Sequence, residues 1–203
     1  MDYDIEKLKM TIDDHNGIAT SLQLQKEGFS RLMLYDALLK GIVRKESHGN
    51  YYNTDHEPDR FCALQNRTKK LVFSHLSALY LQGICPDLPS VMDLTVSQGD
   101  NISRIKKDFE NTRFHYCKKE VWEIGRKKVL TPKGFSVFAY ETERSICEAI
   151  RERDAMEEAL YLKTLQSFFQ GTYDQEKFVH YSKLLHVEQM VDVYKAVFAS
   201  LNK

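Results

Sequence analysis

Four glycines divide the first fifty residues. Gly17, Gly28, Gly41 and Gly49 leave intervals long enough only for short helices or a hairpin. Ahead of the first, Ile5, Leu8 and Ile12 fall on one helical face, and His15-Asn16-Gly17 closes it. Thr20 can cap a second short helix that carries Leu22 and Leu24 and ends at Gly28. Ser30 can cap a third, which runs to Lys40 with Leu34 and Leu38 one turn apart and Gly41 behind it. Residues 42–46 read as a strand, 47–50 as turn chemistry and 51–53 as the return strand. Helix, helix, short turn, helix, hairpin is the order of a winged helix-turn-helix.

That order assigns positions to side chains. The third helix of such a unit enters the major groove by its N-terminal end, which puts Ser30, Arg31 and Tyr35 toward base edges. Lys40, Arg44 and Lys45 then lie near phosphates, with Lys26 in the same basic stretch and His48 at the wing tip. The same fold also serves as a protein-binding module, because fold does not fix function. The basic residues on the third helix and wing favour DNA.

The charge pattern points the same way. The chain has 203 residues, with 29 Lys+Arg against 29 Asp+Glu, so its formal net charge is zero. A uniformly basic coat protein and an acidic tail are both excluded. Neutrality here is a cancellation. Residues 1–60 and 134–203 are each net −3, residues 61–100 are neutral, and residues 101–133 are net +6. The basic segment holds Arg104, Lys106, Lys107, Arg113, Lys118, Lys119, Arg126, Lys127 and Lys128, a second candidate surface for phosphate. DNA backbone, RNA, an acidic protein surface and plain solvated loops all remain open for it.

At 42% apolar and 29% charged, the chain reads as globular and long enough for a proper core. No apolar run approaches the roughly 18–20 residues that span a bilayer. The acidic start lacks a signal core. Cys62, Cys85, Cys117 and Cys147 form no Cys-x-x-Cys pair, so reduced thiols in a cytoplasm are expected.

Asp55–Asp59, with Pro58 inside, reads as a linker, giving a DNA-binding domain over 1–56 and a second domain over 57–203. In the second, residues 61–69 look helical, and Ser74 can cap a helix ending at Gly83. Strands are expected at 91–96, 113–116 and 137–140. From Thr142 onward the pattern is helical, with Gly171 closing one helix and Asp174 capping the next. The fold class is α+β: a winged helix-turn-helix, then a larger α+β domain with a small sheet and a helical C-terminal half.

Catalytic constellations are missing from the sequence. It has no phosphate-binding Gly-x-x-x-x-Gly-Lys-Ser/Thr or Gly-x-Gly-x-x-Gly loop, no His-Glu-x-x-His and no Gly-x-Ser-x-Gly. Asp93 with Lys106 and Lys107 is a faint shadow of a nuclease site, and a lone strand Asp is expected to face solvent. His115 and Cys117 share a strand face, but nothing marks a third partner. Glu143 and Arg144 point apart on a helix, so a structural salt bridge to neighbouring elements is expected, not a shared site. No enzyme, metal or cofactor is expected.

Three segments carry a resemblance. One runs Gly17-Ile18-Ala19-Thr20, then Gly28-Phe29-Ser30-Arg31, Leu34-Tyr35, Lys40-Gly41 and Gly49-Asn50-Tyr51. Another is the unbroken run from Phe73-Ser74-His75 to Leu81-Gln82-Gly83. A third joins Thr131-Pro132-Lys133-Gly134 to Glu143-Arg144-Ser145-Ile146-Cys147-Glu148. In this order they resemble the AbiEi antitoxin family of type IV, abortive-infection toxin–antitoxin systems, which tends to carry Thr and Asp where this chain has Ser145 and Glu148. The resemblance implies a cytoplasmic antitoxin whose winged helix represses its own operon at inverted-repeat operator DNA. It also implies a C-terminal domain that neutralises a nucleotidyltransferase-like toxin, by contact or indirectly. Two readings compete: a winged-helix regulator whose C-terminal domain senses a ligand or protein, and a metal-dependent nuclease targeted by the winged helix.

Overall fold

The structure, a computed structural model, describes residues 4–15, 17–45, 49–55, 59–109 and 111–201. It is a mixed α/β chain with two small sheets and a helical C-terminal half. The chain divides into two compact units. The first comprises Met1–Lys69 together with Ser103–Asp108 and Leu130–Val137; the second is Lys70–Ile102, Phe109–Val129 and Phe138–Lys203.

In the first unit the order is α1 (Ile5–Asp14), β1 (Ile18–Thr20), α2 (Ser21–Lys26), α3 (Arg31–Leu39), β2 (Val43–Lys45), β3 (Asn50–Asn53) and α4 (Arg60–Arg67). The capping side chains sit where local chemistry demands. Asp4 accepts from Lys7 N–H at 3.0 Å, Thr20 from Gln23 N–H and Ser30 from Met33 N–H, both at 3.2 Å. Gly28 adopts φ +95° after α2 and Gly41 φ +68° after α3, conformations only glycine takes without strain. The core gathers Leu8, Ile12, Ala19, Leu24, Phe29, Leu34, Ala37, Val43 and Tyr51. β3 is the centre of an antiparallel sheet in the order β1-β3-β2, pairing Ala19 and Lys45 with opposite sides of Tyr51. This order and sheet are compatible with a winged helix-turn-helix. Strand β1 goes beyond the sequence expectation, since three residues are too few to show a period.

The second unit is built on a five-stranded sheet in the order β6-β5-β4-β8-β7. Its strands are β4 (Val72–Phe73), β5 (Met92–Ser97), β6 (Thr112–Cys117), β7 (Arg126–Leu130) and β8 (Ser136–Tyr140). β4 runs antiparallel to β5 and parallel to β8, and β5 runs parallel to β6. Its helices are α5 (His75–Leu81), α7 (Lys119–Glu123), α8 (Thr142–Arg151), α9 (Glu158–Gln170), α10 (Gln175–Leu184) and α11 (Glu188–Leu201); α6 (Ser103–Asp108) belongs to the first unit. Helix α8 is buried continuously from Arg144 to Ile150. Ile146 and Ile150 of α8, Leu165 and Phe168 of α9, and Phe178 of α10 share one apolar core with Leu76 and Leu79 of α5. Helices α6 and α7 and strand β7 fall in the basic segment, where the sequence pattern predicts only the 113–116 strand. Among the described residues, no helix is long and apolar enough to cross a membrane.

Candidate functional site

The expected DNA-contact residues all lie in the first unit. Arg31 is the first residue of α3 and is exposed. Tyr35 is 58% exposed beside Leu32 (57%) and Leu39 (70%), so the open face of α3 is one cation amid apolar and aromatic surface. The Ser30 hydroxyl accepts the α3 capping bond. Lys26 is exposed at the end of α2. Lys40 pairs with Asp36 at 2.7 Å, one turn back along α3, which partly neutralises it. Arg44 and Lys45 are exposed on β2, with Lys45 over the Tyr51 ring. His48 lies outside the described residues.

The nine basic residues of 101–133 named as a candidate phosphate surface, ten with Lys133, are divided between the units. Lys106 and Lys107 are exposed on α6 in the first unit; Arg104 is on the same helix, and its side chain lies outside the described residues. Lys118, Lys119, Lys127 and Lys128 are exposed in the second. Arg126 and Arg113 have other occupations. Arg126 stacks its guanidinium 4.5 Å from the Trp122 ring and 3.8 Å from the Phe138 ring. Arg113 places its guanidinium 3.5 Å from Asp93.

Asp93 opens the second unit's polar centre. All six residues of β5 are buried, yet they alternate apolar with polar. Side chains on a strand alternate faces, so Asp93, Thr95 and Ser97 share one face of the sheet. The parallel register with β6 sets Arg113 beside Asp93 and His115 beside Thr95 on that face. Asp93 is 2% exposed, which corrects the expectation of a solvent-facing strand carboxylate. Its backbone N–H donates to the Ser77 hydroxyl of α5 at 2.8 Å.

The same helix contributes His75 at its first residue, fully buried and with φ +48°. A left-handed backbone on a non-glycine residue costs about 1–3 kcal/mol and collects at functional positions. Ser74 occupies the N-cap of α5, but its hydroxyl makes no capping bond and lies 3.0 Å from His75 Nδ1 instead. The rings of His75 and His115 stack with centroids 3.7 Å apart. His115 Nε2 is 2.9 Å from Asp93 Oδ1, and its Nδ1 is 2.6 Å from Glu152 Oε2. His115 thus stands between two carboxylates. Burial works against its charge, but the bonds to Asp93 and Glu152 outweigh burial and hold its pKa up at about 9. The same bond pulls Glu152 far below the usual carboxylate range.

A second buried pair lies alongside. Arg144 and Glu148 are 1% and 2% exposed, bonded one turn apart at 3.1 Å. Arg144 also donates to the Val121 and Ile124 carbonyls and lies over the Tyr140 ring. Glu143, its neighbour, turns away to accept from Asp174 N–H at 3.0 Å. Adjacent residues therefore serve separate structural bonds. Glu148 Oε2 lies 3.9 Å from His75 Nδ1, and among the described residues both Glu148 Oε2 and His75 Nε2 lack a hydrogen-bond partner.

Chemically, two buried imidazoles, the buried Asp93 and Glu148 carboxylates and the part-exposed Glu152 can together hold a proton or a cation. His75, Asp93 and His115 bring donor atoms within 4.8 Å of one another. Four elements supply this cluster from positions 75, 93, 115 and 152, so no short spacing motif announces it. The legible signal was the alternation in β5, which becomes informative once both strand faces are known to be buried. The chain matches no protein-family profile and no curated protein.

Proposed function

We propose that this chain is the antitoxin of a type IV toxin–antitoxin system and the repressor of its own operon. The first unit binds inverted-repeat operator DNA in the cytoplasm, and the C-terminal region antagonises a nucleotidyltransferase-like toxin. The observation that carries the DNA half is the exposed N-terminal end of α3 on a unit compatible with a winged helix. On this reading Arg31 and Tyr35 meet base edges, and Arg44 and Lys45 meet phosphate. The antitoxin half rests on the resemblance of the 73–83 and 143–148 runs.

Two experiments in cells test the two halves separately. A reporter driven by the DNA upstream of the gene should be repressed by the chain and released by Arg31→Ala. Co-expression with the neighbouring nucleotidyltransferase-like gene should restore growth. A reporter indifferent to the protein removes the repressor role, and persistent growth arrest removes the antitoxin role. The buried histidine–carboxylate cluster favours a second reading, a regulator whose C-terminal unit senses a ligand. In that case repression would respond to a small ligand without any toxin gene.

A further inference from the structure

We propose that His75, Asp93 and His115 form a binding site for a divalent transition-metal cation of the zinc class. It depends on no part of the DNA-binding reading. The donor set is two imidazoles and a carboxylate, the mixture that suits zinc and its neighbours better than magnesium or calcium. All three residues are buried, and their donor atoms are already clustered.

One feature of the cluster lacks a partner, and another offers a place where an ion can replace a proton. The first is the orphaned His75 Nε2, fully buried and 3.7 Å from Glu152 Oε2, beyond hydrogen-bond distance. A buried nitrogen without a partner keeps its desolvation cost with nothing to offset it. The second is the 2.9 Å approach of His115 Nε2 to Asp93 Oδ1 while Nδ1 faces Glu152. A neutral imidazole has one donor and one acceptor, so it cannot satisfy two carboxylates. Something positive must lie at one of its nitrogens, either a proton or a metal ion.

Each surrounding carboxylate has an arginine beside it: Arg113 at Asp93, Arg144 at Glu148, and the more exposed Arg151 at Glu152 Oε1. With the ion bound, His115 keeps one nitrogen on a carboxylate that orients it, the arrangement that metal-bound histidines commonly show. A cavity of about 30 Å³ bordered by Asp93, Arg113, Leu76 and Met156 reaches the cluster and has room for a water-sized species.

The test is titration of the chelator-stripped full chain with Zn²⁺, followed by calorimetry and by thermal unfolding, with Mg²⁺ and Ca²⁺ as controls. One equivalent of zinc should bind and raise the unfolding temperature, and the controls should do neither. Asp93→Asn and His115→Ala should each weaken zinc at least tenfold, a threshold on the order of a single positioning contact. Glu152→Gln should weaken it by about 10- to 100-fold. Circular dichroism verifies the fold of each variant. Should they unfold, Co²⁺ on the unmodified chain decides: visible d–d bands without a thiolate charge-transfer band support the nitrogen and oxygen ligands. A wild-type chain that binds neither Zn²⁺ nor Co²⁺ overturns the proposal. So does a thiolate band, or zinc held equally tightly by a folded His115→Ala chain.

Discussion

Arg144 shows how one side chain can organise its surroundings. It is almost wholly buried, so its charge survives only because Glu148 and two backbone carbonyls surround it. Arg144→Ala leaves Glu148 buried without its counter-charge and should destabilise the fold by about 3–5 kcal/mol, read from urea unfolding midpoints. A loss below about 1 kcal/mol would mean that Glu148 finds another partner. The cysteines give a second residue-scale expectation. Burial pushes the Cys62 thiol up to about 12 and raises Cys85, Cys117 and Cys147 as well. Almost no thiolate then exists at neutral pH, so iodoacetamide should label the native chain slowly and the unfolded chain fast. At this scale the sequence was legible where chemistry is local: Glu143 and Arg144 point apart, although the Arg144 ion pair stays within α8, with Glu148, and Glu143 takes a backbone bond instead. It placed Asp93 toward solvent and His115 only beside Cys117, and missed their grouping with His75 and Glu152, because only the pairing of β5 with β6 and the packing of α5 and α8 bring the four together.

Elements were read most clearly where a cap or a glycine marks an end. Thr20, Ser30 and Asp174 all accept the expected capping bonds. Ser74 is the exception, its hydroxyl being turned to His75. The elements that escaped notice include β1, β4, α6, α7 and β7, two to six residues each. Their length is below what periodicity resolves, and β7 is a run of Arg126, Lys127 and Lys128 held by sheet pairing despite its charge. Two predictions belong here. Gly125 sits at φ +71°, and a Cβ there would lie 2.5 Å from the Tyr181 hydroxyl oxygen. Gly125→Ala should therefore destabilise by more than about 1 kcal/mol, measurable as a lower thermal midpoint. The second concerns α8 and α10. Burial pushes the Glu141 carboxyl up, but bonds from Lys177 at 2.7 Å and Tyr181 at 2.6 Å prevail and lower its pKa. A depressed carboxylate stabilises the fold above its unfolded pKa and loses that contribution as pH falls through the folded value. Glu141→Gln should thus flatten the acid side of the stability–pH curve, and an unchanged slope would contradict the tie.

At the scale of the whole molecule, the zero net charge conceals two basic regions, and the second is itself split, with Lys106 and Lys107 in one unit and Lys118, Lys119, Lys127 and Lys128 in the other. The units also interleave along the chain, since residues 103–108 and 130–137 cluster with 1–69. Removing residues 1–58 should leave those two returns without most of their packing. Limited proteolysis of the truncated chain should cut within 103–108 or 130–137, where the full chain resists. The most direct test of the proposed function is fluorescence anisotropy with the DNA upstream of the gene against a scrambled duplex, at fixed salt. The unmodified chain should prefer the upstream sequence, and Arg31→Ala should lose that preference at a cost of about 1–3 kcal/mol in binding. Equal affinity for both duplexes, or a preference that survives Arg31→Ala unchanged, would contradict it.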